Sequence, residues 1–168
     1  IHCGGGGLGH KSPLLSPTAL QDLFTVNVGL QVEINGRVLP RMIERRRGFI
    51  CHVCSIASGE AVGSVGYNTV KAGLAAYVRS LGREMAPHGV VVTGIAPGGF
   101  ICNNNAMDRL RTTNYNAYLD FATERLPRGY MGKSEELLPL LELLTSDAGS
   151  MMAGSVVPID AGEGRYYA

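Results

Sequence analysis

Apolar positions along this chain follow helix-like and strand-like spacing by turns. From 16 to 47, "SPTALQDLFTVNVGLQVEINGRVLPRMIERRR", the residues Leu20, Leu23, Phe24, Leu30, Ile34, Val38 and Ile43 recur at the spacing of one helix face. Ser16 followed by Pro17 marks the start, an N-cap with proline at the first helical position. Gly29, Gly36 and Pro40 should weaken or bend this helix. "GFICHVCS" (48–55) is a short apolar run between turn residues, the pattern of a buried strand. A second helix, "GYNTVKAGLAAYVRSLGREMAPHG" (66–89), carries the stripe Val70, Leu74, Val78, Leu81 and Met85 and stops at Pro87-His88-Gly89. "VVVTGIAPGG" (90–99) reads as another buried strand ending in a Pro-Gly turn. From Phe100 to Gly132 the pattern dissolves into asparagines, tyrosines and arginines. So long a connection predicts a mobile lid or binding loop with short helical pieces. "SEELLPLLELLTSD" (134–147) predicts a third helix, capped at Ser134 with Pro139 near its first turn, and "GSVVPIDAGEG" (154–164) a last strand.

Strands alternating with helices imply an α/β fold with a parallel sheet and right-handed crossovers. There is no internal repeat and no sign of a second domain, and 168 residues suffice for one core. The formal net charge is +1, which gives no electrostatic reason to expect nucleic acid or an anionic membrane. The basic run Arg45 to Arg47 falls where the first helix should end, a position its dipole favours for cations. No apolar stretch approaches the roughly 20 residues needed to span a bilayer, and no signal-peptide pattern is present. The sequence begins at Ile1, in mid-pattern.

Cys51 and Cys54 form a C-x-x-C, but within a strand residues three apart face opposite ways, and no second pair completes a zinc site. With Cys3 and Cys102 they read as reduced thiols of a cytoplasmic protein, and the four histidines show no metal spacing. The opening "IHCGGGGLGHKSP" contains G-x-G-x-x-G at Gly4, Gly6 and Gly9. That motif holds a pyrophosphate only between a strand and a helix N-terminus. Here His10, Lys11, Ser12 and Pro13 follow, so no helix opens on Gly9 and the match is not a pyrophosphate turn.

Chemistry concentrates elsewhere. Tyr67 and Lys71 are four residues apart, one turn apart on the same helix face. Ser55 lies just past the end of its strand, where open α/β sheets bind ligands. Asn27 sits mid-helix, a poor place for a short amide without a polar task. A free tyrosine has a pKa near 10; a neighbouring ammonium and a cationic nicotinamide ring would bring it toward its working range. A serine hydroxyl beside that phenol could hold a carbonyl oxygen. Such a set suits reversible hydride transfer between a secondary alcohol and a ketone, with the hydride carried by a nicotinamide cofactor.

With these residues in this order, the chain resembles the short-chain dehydrogenase/reductase family over nearly its whole length. The family's Y-x-x-x-K is "YNTVK", its serine falls on Ser55 with Ser58 as the fallback, and its helix asparagine falls on Asn27. The Ser55-to-Tyr67 spacing is one residue tighter than usual. The closing pattern appears as "LTSDAGSMMAG" and "VVPIDAG". The resemblance implies a Rossmann-like three-layer fold with helices on both faces and about four strands retained, in a single partial domain. It implies a cofactor, NAD or NADP, lined by His2, Cys3, Gly4, Gly5, Tyr67, Lys71, Pro97, Gly98, Phe100 and Cys102. By it, Asn27 would anchor a water that relays protons to Lys71. His2 and Cys3 stand where the family has asparagines, which should loosen the corner, and Cys102 replaces a threonine with a poorer donor.

The family's first three strands, pyrophosphate loop and NAD/NADP selector have no counterpart after Ile1, so the resemblance implies the C-terminal two thirds of that domain. The chain alone should therefore bind the dinucleotide poorly. The expected activity is interconversion of a small carbonyl and a secondary alcohol, of 3-oxoacyl or sugar and polyol type, set by residues 100–132. The complete protein should be a homodimer or homotetramer. A non-catalytic binding or assembly module is the competing reading; a serine hydrolase built on Ser55 lacks the G-x-S-x-G elbow.

Overall fold

A computed structural model describes residues 1–165. Strands β1 (Gly48–Val53), β2 (Val90–Pro97) and β5 (Val156–Ile159) form a parallel sheet in the order β1-β2-β5. Gly48 pairs with Val90 through to Val53 with Ile95, and Gly94 with Val156 through to Pro97 with Ile159. A fourth position lies on the outer edge of β1, where His2 bridges His52 in parallel: His2 N–H donates to Cys51 O at 2.8 Å and Val53 N–H to His2 O at 2.9 Å. Every residue of β2 is buried, as expected of a strand paired on both sides and covered on both faces.

Helices α2 (Leu30–Glu44) and α3 (Val65–Met85) cover one face, with α1 (Pro17–Phe24) packed against α3, and α6 (Leu138–Leu144) covers the other. Alternation along the strands assigns the sides. Ile50 and Val92 pack with Val38, Met42 and Leu81, whereas Cys51 and Ile95 pack with Leu137 and Leu144. Cys54 lies against Val28, Leu74 and Val78, on the side opposite Cys51, so the C-x-x-C is split across the sheet.

The first helix is continuous but passes through a π-helical turn at Thr25–Gly29, between α1 and α2. Its buried stripe differs from the apolar one. Leu23, Asn27, Gln31 and Asn35 are at most 1% exposed, while Leu20, Phe24, Leu30 and Ile34 lie 37 to 49% exposed. Hydrogen-bond partners in other elements accept the amides, and apolar spacing carries no information about those partners.

Two other expectations change. The 100–132 segment is a structured unit: β3 (Phe100–Ile101) pairs in parallel with β4 (Gly132–Lys133), enclosing α4 (Ala106–Thr113) and α5 (Tyr115–Arg125). Ala122, Leu126 and Met131 give it a small core of its own, with Ile101, Met107 and Phe121 against it. The helix expected from Ser134 opens as a 3-10 turn, Ser134–Leu137, anchored by the Glu136 carboxylate accepting from Lys133 N–H at 2.7 Å, not by the Ser134 hydroxyl. Pro139 sits in the first turn of α6, where its missing N–H leaves no bond unmade.

Candidate active site

Because the three strands are parallel, their carboxyl ends share one edge. Val53, Pro97 and Ile159 end there, and Ser55, Gly98 and the turn at 160–164 follow them. The N-terminus of α3, capped by Ser64, brings Tyr67 and Lys71 to the same edge. The Ser55 hydroxyl lies next to the Tyr67 phenol and favours its ionised form. Ser55 Oγ also accepts from Ala57 N–H at 3.1 Å, which fixes its rotamer. Ser58 Oγ turns back to donate to Ser55 O at 2.6 Å, so of the two serines Ser55 is the one that meets Tyr67. Lys71 is 4% exposed; its Nζ donates to Val53 O at 3.0 Å and lies 5.7 Å from the centre of the Tyr67 ring. One of its three donors is thus used by strand backbone, which locks the long side chain in place.

The expectation is of a phenol lowered by the lysine and a cationic nicotinamide ring together; the chain's own groups do not lower it. Burial pushes the Tyr67 phenol above its ordinary value, against the Ser55 hydroxyl that favours the phenolate. Burial likewise pulls the Lys71 ammonium down. The charged form of each is disfavoured by desolvation. The Tyr67 phenol is accordingly protonated at neutral pH.

The glycine corner folds over this pair. Asn27 clamps the Gly6 peptide: Oδ1 accepts from Gly6 N–H and Nδ2 donates to Gly6 O, both at 2.9 Å, with a further bond to Leu23 O at 2.9 Å. The Asn27 side chain is thus engaged with backbone on both sides. A Cβ on Gly5, at φ +143°, would stand 2.6 Å from Asn27 Oδ1 and 3.4 Å from Lys71 Nζ, so only glycine lets the chain pass here. No helix follows Gly9; the first begins at Pro17.

Sequence reasoning missed what lies beneath the corner. Gln31 Nε2 donates to Gly4 O at 3.1 Å and to Asn27 O at 2.8 Å, and its Oε1 accepts from His52 Nδ1 at 2.5 Å. Asn35 Nδ2 bonds His52 Nε2 at 3.3 Å and Tyr77 Oη at 3.0 Å; its Oδ1 faces His2 Nε2 at 2.8 Å. This pattern assigns His52 as the neutral Nδ1–H tautomer. Burial, with His2 and Lys71 nearby, pushes its pKa down to about 3. The His2 ring stacks on His52 at 4.5 Å. The corner is therefore tied to the core by His2 and Gln31 and not loosened by the loss of asparagine. Gln31 and Asn35 follow Asn27 at intervals of four, a polar stripe that was the available signal.

Of the remaining expected residues, Cys3 is exposed, and Phe100 and Cys102 are half-buried at the start of the 100–132 unit. Among the described residues no group of three His, Cys, Asp or Glu is placed to hold a metal ion, and no helix is long and apolar enough to cross a membrane.

The short chain dehydrogenase family matches residues 1–122. The chain belongs to the short-chain dehydrogenases. It is 30% identical over 143 residues to a 3-oxoacyl-[acyl-carrier-protein] reductase of Aquifex aeolicus, covering 84% of this chain and 55% of that protein. To the gluconate 5-dehydrogenase of Gluconobacter oxydans it is 30% identical over 159 residues, covering 93% and 60%. Among solved structures, a 3-oxoacyl (acyl-carrier-protein) reductase of Agrobacterium tumefaciens with NADP bound superposes with a TM-score of 0.84 at 25% identity, over 96% of this chain and 62% of that one. The short-chain dehydrogenase described here thus spans less than two thirds of the length of these relatives. Lys71 keeps ammonium donors beyond the one given to Val53 O, which fit a hydroxyl-bearing group of a nicotinamide cofactor.

Proposed function

We propose that the protein to which this chain belongs is an NAD- or NADP-dependent oxidoreductase interconverting a carbonyl and a secondary alcohol, with Tyr67 as general acid and base. The observation that carries the reading is the buried Lys71, its Nζ fixed to Val53 O beside the Tyr67 ring, with the Ser55 hydroxyl next to the phenol. When bound, the nicotinamide cofactor would donate or accept the hydride. Tyr67, kept protonated by burial, gives its proton to the carbonyl oxygen during reduction, and Ser55 holds that oxygen within reach. Lys71 steadies the phenolate left behind. Asn27 supports the site by clamping Gly6 over Lys71. The corner His2–Gly5, the turn Pro97–Gly98, and Phe100 and Cys102 would line the cofactor.

The names of the relatives point to two substrate classes, a 3-oxoacyl thioester and a sugar acid. A homodimer or homotetramer is supported by the uncovered Leu20, Phe24 and Leu30 of α1 and α2 and Val65 of α3, 37 to 54% exposed. A cytoplasmic location fits four free thiols.

Turnover of NADH and NADPH by the full-length protein, with a 3-oxoacyl thioester and with a keto-sugar acid, tests the reading. Tyr67→Phe should lower kcat at least a hundredfold and leave nucleotide affinity within about threefold, since the ring still packs but cannot pass a proton. Unchanged turnover in that variant would refute the assignment.

A further inference from the structure

Glu163, in the turn after β5, is buried with its side chain 4% exposed, and the proton transfer above does not use it. An acid withdrawn from water is costly unless its oxygens are well bonded. Glu163 Oε2 accepts from Gly99 N–H at 2.6 Å, a short charge-assisted bond. Oε1 faces Arg125 Nη2 at 3.4 Å. Arg125 closes α5, lies 5.0 Å over the Phe121 ring, and donates through Nη1 to Val62 O at 3.2 Å. One carboxylate therefore joins the turn after β2 to the helix of the 100–132 unit and, through Arg125, to the loop between Ser55 and Tyr67.

The surrounding geometry reinforces that junction. Asp160 accepts from Gly162 N–H and Gly164 N–H, each at 3.0 Å, shaping the turn that presents Glu163. A Cβ on Gly98 would stand 2.7 Å from Glu163 Oε2, so Pro97–Gly99 lies directly on the carboxylate. The same turn borders a cavity of about 260 Å³ lined also by Phe100, Leu126, Tyr130 and Asp160, so packing leaves it room to shift on that flank.

We propose that Glu163 is a positioning residue whose carboxylate clips the Pro97–Gly99 turn to α5 and, through Arg125, to the Ser55–Tyr67 loop, holding the cofactor-side turn and the substrate-side unit in one fixed relation. The positioning role rests on the oxidoreductase reading; the clip does not. Hydrogen exchange of the full-length protein, read by mass spectrometry on peptides covering 96–101 and 59–64, tests the clip directly. Glu163→Ala should speed exchange in both at least tenfold while peptides from β1 and the middle of α3 stay unchanged. Glu163→Gln keeps an oxygen for Gly99 but loses the charge for Arg125, so it should rescue 96–101 and not 59–64. In steady state Glu163→Ala should raise the KM for the nicotinamide nucleotide at least fivefold, with Glu163→Gln between it and the parent. Unchanged exchange at 96–101 in Glu163→Ala, or a uniform rise in every peptide, overturns the clip; local loosening with an unchanged KM overturns its positioning role. Absence of any carbonyl reduction by the unsubstituted protein, with local loosening still seen, sinks the oxidoreductase reading and leaves the clip standing.

Discussion

Acid should destabilise this chain through His52, and replacing that one ring should remove the effect. His52 is wholly buried and neutral, donating to Gln31 and accepting from Asn35, and its pKa is pushed down to about 3 from an ordinary 6.5. Between those two values the unfolded chain binds a proton that the folded chain refuses, so stability rises with pH through that window and is lost as pH falls. At 1.36 kcal/mol per unit, the whole window is worth about 5 kcal/mol, and the step from pH 7.5 to pH 5 about 2 kcal/mol. Against a typical total of roughly 5–15 kcal/mol that is a large share. Glu163 works in the opposite sense: burial raises its pKa, so its contribution is present at low pH and lost as pH rises through that raised value. His2, also lowered by burial, adds to the His52 effect. Comparing the parent with His52→Asn largely cancels both, because Asn keeps an amide for Gln31 and Asn35 and cannot titrate. Urea unfolding followed by circular dichroism should show the parent midpoint falling by about 1 M more than the variant's between pH 7.5 and 5. Equal pH dependence in the two proteins would show that His52 is not the buried neutral group described here.

Two further outcomes follow from the geometry. Ser55→Ala should lower turnover of the full-length enzyme by two orders of magnitude or so, while Ser58→Ala stays within about threefold, because the Ser58 hydroxyl is turned into the backbone at Ser55 O; equal losses would show that the serines share the task. Gly82→Ala in α3 should destabilise the fold by roughly 1–3 kcal/mol or more, as its Cβ would stand 2.5 Å from Gly154 Cα and 2.9 Å from Val92 O, backbone atoms that cannot yield; a thermal midpoint within a degree of the parent would contradict that close approach.

Much of this molecule was legible along the chain because it depends on local spacing. The strand periods at 48–55 and 90–99, the Ser16-Pro17 start and the four-residue interval of Tyr67 and Lys71 each follow from geometry within one element. So does the division of Cys51 from Cys54 across the sheet. What spacing could not supply is the partner of each polar group. Asn27, Gln31 and Asn35 point inward and Phe24 and Leu30 outward because the Gly6 peptide, His52 and Tyr77 wait on the inner side, residues 21 to 42 positions away in sequence. The protonation state of Tyr67 was likewise a tertiary matter: its sequence neighbour Lys71 suggested a lowered pKa, whereas burial, which only the folded chain creates, raises it. Glu163 carried no sequence signal at all. A buried carboxylate acquires its meaning from Gly99, Arg125 and Val62, which parallel strands and a distant helix deliver to the same edge of the sheet.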